Sequence, residues 1–145
     1  MKKIITNNFK ETQKIGFDFA KTLKGGEVLA LYGDLGSGKT TFMQGLAKGL
    51  GIIRNIISPT FIIMRTYELG NREQGTGIRN LYHVDLYRIE SEKDVEGLGL
   101  LELMHQPENI VAIEWPDKIE NILPEDRVNI YFKYLGDEKR EIRIG

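Results

Sequence analysis

The stretch GDLGSGKTT, Gly33 to Thr41, packs three glycines, a lysine and two threonines into nine residues. A glycine, four intervening residues and then Gly38-Lys39-Thr40 is the spacing of a phosphate-binding loop. Gly36 and Gly38 free the backbone for turns that a side chain would block, so successive amides can point at one anion. The amides of Gly36, Ser37, Gly38, Lys39, Thr40 and Thr41 then stand at the start of a helix, where unpaired N–H groups and the dipole favour negative charge. Lys39 adds a mobile cation for the β- and γ-phosphates, and the Thr40 hydroxyl is placed to ligate Mg²⁺.

Phosphoryl transfer needs more than a cradle: a carboxylate for the metal and a group to orient the attacking water. Two acids stand where apolar strands end, Asp85 in LYHVDLYR and Glu114 in NIVAIEWPDK. Ligands of open α/β sheets gather at the carboxyl ends of strands, so both acids are expected to face the phosphates. Glu114 follows the more apolar strand and is the expected Mg²⁺ ligand, directly or through a water. Asp85 then shares the metal shell or holds the water; the reverse assignment stays open. Lys39, Asp85 and Glu114 are the expected catalytic residues, and Thr40, Glu114 and Asp85 the expected metal ligands.

His83 shares a strand face with Asp85 and reads as a structural histidine. Thr60 in SPT either senses the γ-phosphate, like a switch loop, or sits in a proline turn. Met43, Met64 and Met104 read as core filler. No arginine has the spacing of an arginine finger, although Arg88 in DLYR is within reach of the site. Trp115 follows Glu114, and adjacent strand residues point to opposite faces, so its indole need not touch a bound nucleotide.

The elements that must position these groups alternate along the chain. Ile4–Thr6 is a short strand. Asn7 or Asn8 caps a helix carrying Phe9, Ile15, Phe19 and Leu23, which ends at Gly25-Gly26. GEVLALYG is a buried strand leading into the loop, and TTFMQGLAKGL is a helix with Phe42, Leu46 and Leu50 at four-residue intervals. TFIIMRTYEL and NLYHVDLYRI flank the glycine-rich Gly70–Asn80 segment as a hairpin. SEKDVEGLGLLELM reads as one serine-capped helix, NIVAIEW as a central parallel strand, and the C-terminal segment as a hairpin about Gly136-Asp137. The fold expected is α/β and P-loop NTPase-like: a mainly parallel sheet, helices on both faces and antiparallel hairpin additions.

The chain has 145 residues, a length suited to a single P-loop ATPase domain over residues 1–145. Twenty lysines and arginines against 21 acids give a net charge of −1, with no electrostatic footprint for nucleic acid across the whole. With no cysteine, a disulfide framework, a thiolate metal site and a cysteine nucleophile are excluded. No signal-peptide core and no run of membrane-spanning length occurs, so a cytoplasmic protein without a membrane partner is expected.

GDLGSGKTT, SPTF, HVDLYR and IEWPDKI, in that order, resemble the bacterial tRNA threonylcarbamoyladenosine biosynthesis ATPases of the TsaE family. HxDLYR with EWP is far more specific than the phosphate loop, and the resemblance runs over nearly the whole chain. It implies a small Mg²⁺-dependent ATPase assisting the proteins that make threonylcarbamoyladenosine on tRNA, with ATP and Mg²⁺ as cofactors. It places Lys39, Thr40, Asp85 and Glu114 in the ATP–Mg²⁺ site and sets Thr12 near the nucleotide. Ser37 stands where the family usually has alanine, a small side chain either way. The near-neutral charge suits protein partners, the threonylcarbamoyl-transfer complex, with tRNA contacted only indirectly, and turnover by the isolated protein is expected to be slow.

Other classes leave weaker traces. DVEG, Asp94 to Gly97, mimics the Asp-x-x-Gly of GTP-dependent switches but lies in a helix-like segment, and no Asn-Lys-x-Asp guanine-reading motif occurs. A small-molecule kinase would need a lid, for which the only candidate is the Gly70–Asn80 segment with Arg72 and Arg79. A module that binds nucleotide without turning it over is the third alternative.

Overall fold

The computed structural model describes residues 1–57, 63–69 and 77–145. Its strands are β1 (Lys2–Thr6), β2 (Val28–Tyr32), β3 (Met64–Glu68), β4 (Asn80–Asp85), β5 (Asn109–Glu114), β6 (Val128–Gly136) and β7 (Lys139–Ile144). They form one seven-stranded sheet in the order β1-β7-β6-β2-β5-β4-β3. The central strands β6, β2, β5 and β4 run parallel to one another. Antiparallel strands complete both edges, β3 against β4 on one side and β7 with β1 on the other. All six residues of β5 are buried, as a continuous apolar strand between parallel neighbours should be.

Helices α1 (Phe9–Ala20) and α2 (Lys39–Gly49) cover one face, packing over Leu29, Leu31, Ile110 and Ala112. The short helices α3 (Lys93–Glu96) and α4 (Leu100–Leu103) and a 3₁₀ segment, Pro116–Ile122, cover the other, over Val28, Val111 and Ile113. No described helix is long and apolar enough to cross a membrane.

Three expectations need correction. The apolar face expected on α1 is not its buried face: Thr12, Gly16 and Ala20 are buried while Phe9 is 48% exposed. The reason is how closely α1 lies on α2. A Cβ built on Gly45 would stand 1.8 Å from the Gln13 carbonyl oxygen, and one on Gly16 would stand 2.1 Å from that of Phe42. Only small residues allow the two backbones to meet in this way. The cap itself is Asn8, whose side chain accepts the Glu11 N–H at 2.9 Å.

The single helix expected over 91–104 is two short ones, because Gly99 adopts φ 67° between them. No serine caps α3; the Asp94 carboxylate instead accepts the N–H groups of Glu90 and Ser91. The strand expected from Thr60 begins at Met64, after Ile63 at φ 67°. Ser58–Thr60 and residues 70–76, with Arg72, lie outside the described residues.

Candidate functional site

β2 leads into the glycine loop, and α2 begins at Lys39 with Gly38 as its N-cap at φ 108°. That conformation is one L side chains rarely adopt, so Gly38 is required by backbone geometry. No side chain caps α2, which leaves its first amides for an external acceptor. Phe42, Leu46 and Leu50 anchor the helix in the core beneath, as their spacing foretold.

Lys39 is only 4% exposed. Its ammonium donates to the Gly33 carbonyl, lies 3.8 Å from Glu114 Oε1 and sits 4.4 Å from the centre of the Trp115 ring. Burial lowers its pKa below that of an ordinary lysine, against the opposing pull of Glu114, Asp85 and two further acids. A buried cation of this kind is costly unless an anion joins it.

Strand register brings the two carboxylates together. Asp85 on β4 is paired with Glu114 on β5, both at the carboxyl ends of their strands and on the face that α2 covers. They are 3% and 4% exposed. Asp85 Oδ1 accepts the Tyr87 N–H at 2.9 Å, which fixes the turn after β4. His83 is more than structural filler. It is fully buried, and its Nε2 lies 2.6 Å from Glu114 Oε2, so it holds the carboxylate from behind. The Nδ1 of His83 has no hydrogen-bond partner.

Trp115 departs from strand alternation. It adopts φ 59°, which ends β5 and turns the indole over the Lys39 ammonium and against Tyr87, at 5.2 Å between ring centres. The aromatic ring therefore touches the site after all. Its Nε1–H is buried without a partner.

A cavity of about 280 Å³ lies over the loop. Gly36, Gly38, Lys39, Thr40 and Thr41 line it together with Asp85 and Glu114. Two residues with no sequence signal join them, Phe9 and Arg140. Arg140 comes from β7, where nothing in EKREIRI marks it; only the sheet order brings it beside Gly38, whose added Cβ would meet its Cγ at 3.3 Å.

Ser37 and Thr12 are placed differently. The Ser37 side chain is buried, with its hydroxyl unpartnered, so only its backbone is offered to a ligand. Thr12 is fully buried and shares a hydrogen bond with the Thr6 hydroxyl at 2.7 Å, while Thr6 reaches the Arg140 carbonyl at 3.5 Å. Thr12 thus stands behind Arg140 rather than in the cavity. Arg88 is exposed and does not line it. A larger cleft of about 520 Å³ at Gln13, Gln44, Lys48 and Arg54 touches none of the loop residues.

The donor set fits one metal in particular. Among the described residues no cluster of three or more histidines and carboxylates forms a ready-made cation cage. Mg²⁺ is usually held by one or two carboxylates with phosphates and waters, and Thr40, Asp85 and Glu114 offer that partial shell. The cavity can accept a polyphosphate on its amides and Lys39, with a cation between it and the carboxylates.

Known proteins carry the same organisation. The profile of the family described as "Threonylcarbamoyl adenosine biosynthesis protein TsaE" matches residues 6–142. A Bacillus subtilis protein named tRNA threonylcarbamoyladenosine biosynthesis protein TsaE is 45% identical over 137 residues, 94% of this chain and 80% of the relative. One of the same name from Treponema pallidum is 35% identical over 140 residues, 97% of each chain. The crystal structure of Bacillus subtilis YdiB superposes with a TM-score of 0.77 at 40% identity, over 97% of this chain and 82% of that one. With its loop, its paired carboxylates and nearly its whole length shared in this way, the chain belongs to the TsaE family.

Proposed function

We propose that this protein binds and slowly hydrolyses ATP with Mg²⁺ in the service of threonylcarbamoyladenosine formation on tRNA, acting on the threonylcarbamoyl-transfer proteins. The role in tRNA modification follows from the names of its relatives. The observation that carries the ATPase reading is the buried Lys39 ammonium between the Gly33 carbonyl and Glu114, with Asp85 in register beside it. Loop amides and Lys39 hold the phosphates, and His83 keeps Glu114 aimed at the cavity. Bound through Thr40 and the carboxylates, Mg²⁺ would offset charge on the phosphates. Asp85 and Glu114 divide metal binding and water orientation between them. Within the described cavity lining the only arginine is Arg140, across the loop from the carboxylates. Charge on the transferred phosphoryl group therefore calls for a donor from a partner, and such donors raise rates by roughly 10³–10⁵.

The GTP-switch alternative loses its motif: Asp94–Gly97 lies on α3 with Val95 buried on the opposite face of the sheet. Lys39→Ala tests the proposal. ATP affinity should fall on the order of 100-fold or more, the usual result of removing one partner of a buried charged contact. Trp115 fluorescence, which should respond to Mg²⁺–ATP in the wild type, should stay flat in the variant. Glu114→Gln and Asp85→Asn should separate a raised Mg²⁺ requirement from slowed turnover with affinity kept. Normal hydrolysis by Lys39→Ala would overturn the reading.

A further inference from the structure

The triphosphate reading uses the loop, Lys39 and the carboxylates of β4 and β5. It gives no task to the part of the cavity on the far side of β2, where β7 and the start of α1 supply Arg140 and Phe9. Arg140 is 6% exposed, yet its Nε–H, buried at the cavity wall, has no hydrogen-bond partner. Leaving a buried donor unmatched costs about 1–3 kcal/mol, which a ligand acceptor would remove.

The rest of the guanidinium is fixed. Its Nη1 donates to the carbonyls of Asp137 and Lys139 at 3.0 and 2.9 Å, and its plane packs 4.8 Å from the Tyr134 ring centre. On its other flank lies Phe9, 5.7 Å from the guanidinium carbon to the ring centre. The Phe9 N–H is tied to Glu138 Oε1 at 3.1 Å, so the C-terminal hairpin sets the position of this ring. Phe9 is nevertheless half exposed and lines the cavity. A large apolar ring at the first position of a helix, held in place but left uncovered, is a surface on which a flat heterocycle stacks.

We infer that Phe9 and Arg140 form the nucleoside half of the site: the base stacks on the Phe9 ring, and the Arg140 Nε–H donates to an acceptor of the nucleoside. This rests on the reading of the loop as a triphosphate site. The nucleotide then lies across the sheet edge, phosphates toward β5 and β4, base toward β7. Thr12 and Thr6 act one layer behind, bracing Arg140 through its carbonyl.

The test uses the full chain and two ligands, Mg²⁺–ATP and Mg²⁺–tripolyphosphate, the second lacking a nucleoside. By calorimetry, Phe9→Ala should weaken ATP roughly 5- to 150-fold, the range for loss of one stacked base, and leave tripolyphosphate unchanged. Phe9→Tyr should keep ATP affinity, and Arg140→Lys, which retains charge without the planar donor, should weaken ATP alone. In an NOE spectrum of the ATP complex, adenine H2 and H8 should give cross-peaks to the Phe9 ring protons. ATP bound without those cross-peaks, equal losses for both ligands, or an unchanged ATP affinity in Phe9→Ala would overturn the inference while the phosphate site stands. Retention of both ligands by Lys39→Ala is a different result and removes the triphosphate site itself.

Discussion

The two faces of the sheet are built by opposite means. On one, α1 and α2 meet backbone to backbone through Gly16, Gly45 and Gly49, with no room for even a methyl group. On the other, short helices and a 3₁₀ segment are held by large side chains, Leu86, Leu100, Ile113 and Ile119 among them. Lys39, His83, Asp85 and Glu114 all lie on the first face. Close backbone packing sets how high α2 rides over the sheet, and that height decides whether the Lys39 ammonium reaches Glu114. The face that does chemistry is the one whose geometry cannot adjust; the other face supplies bulk.

The sharpest way to break this contrast is Gly45→Val. Its Cβ would fall 1.8 Å from a backbone oxygen, which cannot swing aside as a side chain can. Overpacking of this kind should cost about 3 kcal/mol or more, read as the shift in urea midpoint, with nucleotide binding lost alongside. Leu100→Ala on the opposite face should cost about 2–4 kcal/mol, the usual range for a cavity at a fully buried leucine. Nucleotide affinity should survive there, since none of the cavity residues over the loop is displaced. Loss of both properties in Leu100→Ala would show that the two faces are one mechanical unit.

A smaller effect separates function from stability on the active face itself. Burial lowers the Lys39 pKa from 10.5, so the charged form makes the folded state less stable below that lowered value. The unfolded chain binds the extra proton there, and stability rises with pH until the unfolded lysine also titrates, near 10.5. Without nucleotide, Lys39→Met should therefore melt at or above the wild-type temperature at pH 7. That advantage should shrink as the pH approaches 10.5, while stabilisation by Mg²⁺–ATP disappears at every pH. Smallest of all, Gly97→Ala should change stability by no more than about 0.5 kcal/mol. Nothing lies within 4 Å of the added methyl, and the backbone is right-handed at φ −73°.

What was legible from sequence was local. The loop is read within nine residues because its function is carried by backbone turns and one lysine next to them. Asp85 and Glu114 were found because each ends an apolar strand. His83 could be placed on the face of Asp85 by alternation, but its partner is Glu114, a residue of the neighbouring strand that alternation within β4 cannot reveal. Arg140 and Phe9 had no local signature. Their meeting depends on β7 lying two places from β2 in the sheet, which no spacing in the chain records. Trp115 escaped for another reason: one left-handed residue reversed the direction that strand periodicity assigns.

The pairing of β1 with β7 has a consequence for the order of folding. Thr6 and Arg140 are 134 residues apart in sequence yet joined across the sheet edge. Contacts of such separation form late, after loop-closure entropy has been offset by nearer pairings. The phosphate loop, by contrast, joins adjacent elements. The site is therefore assembled in two stages, an early half that recognises anions and a late half that closes beside it. Hydrogen exchange should follow the same seam, with the amides of β1 opening ahead of those of β2 and β5.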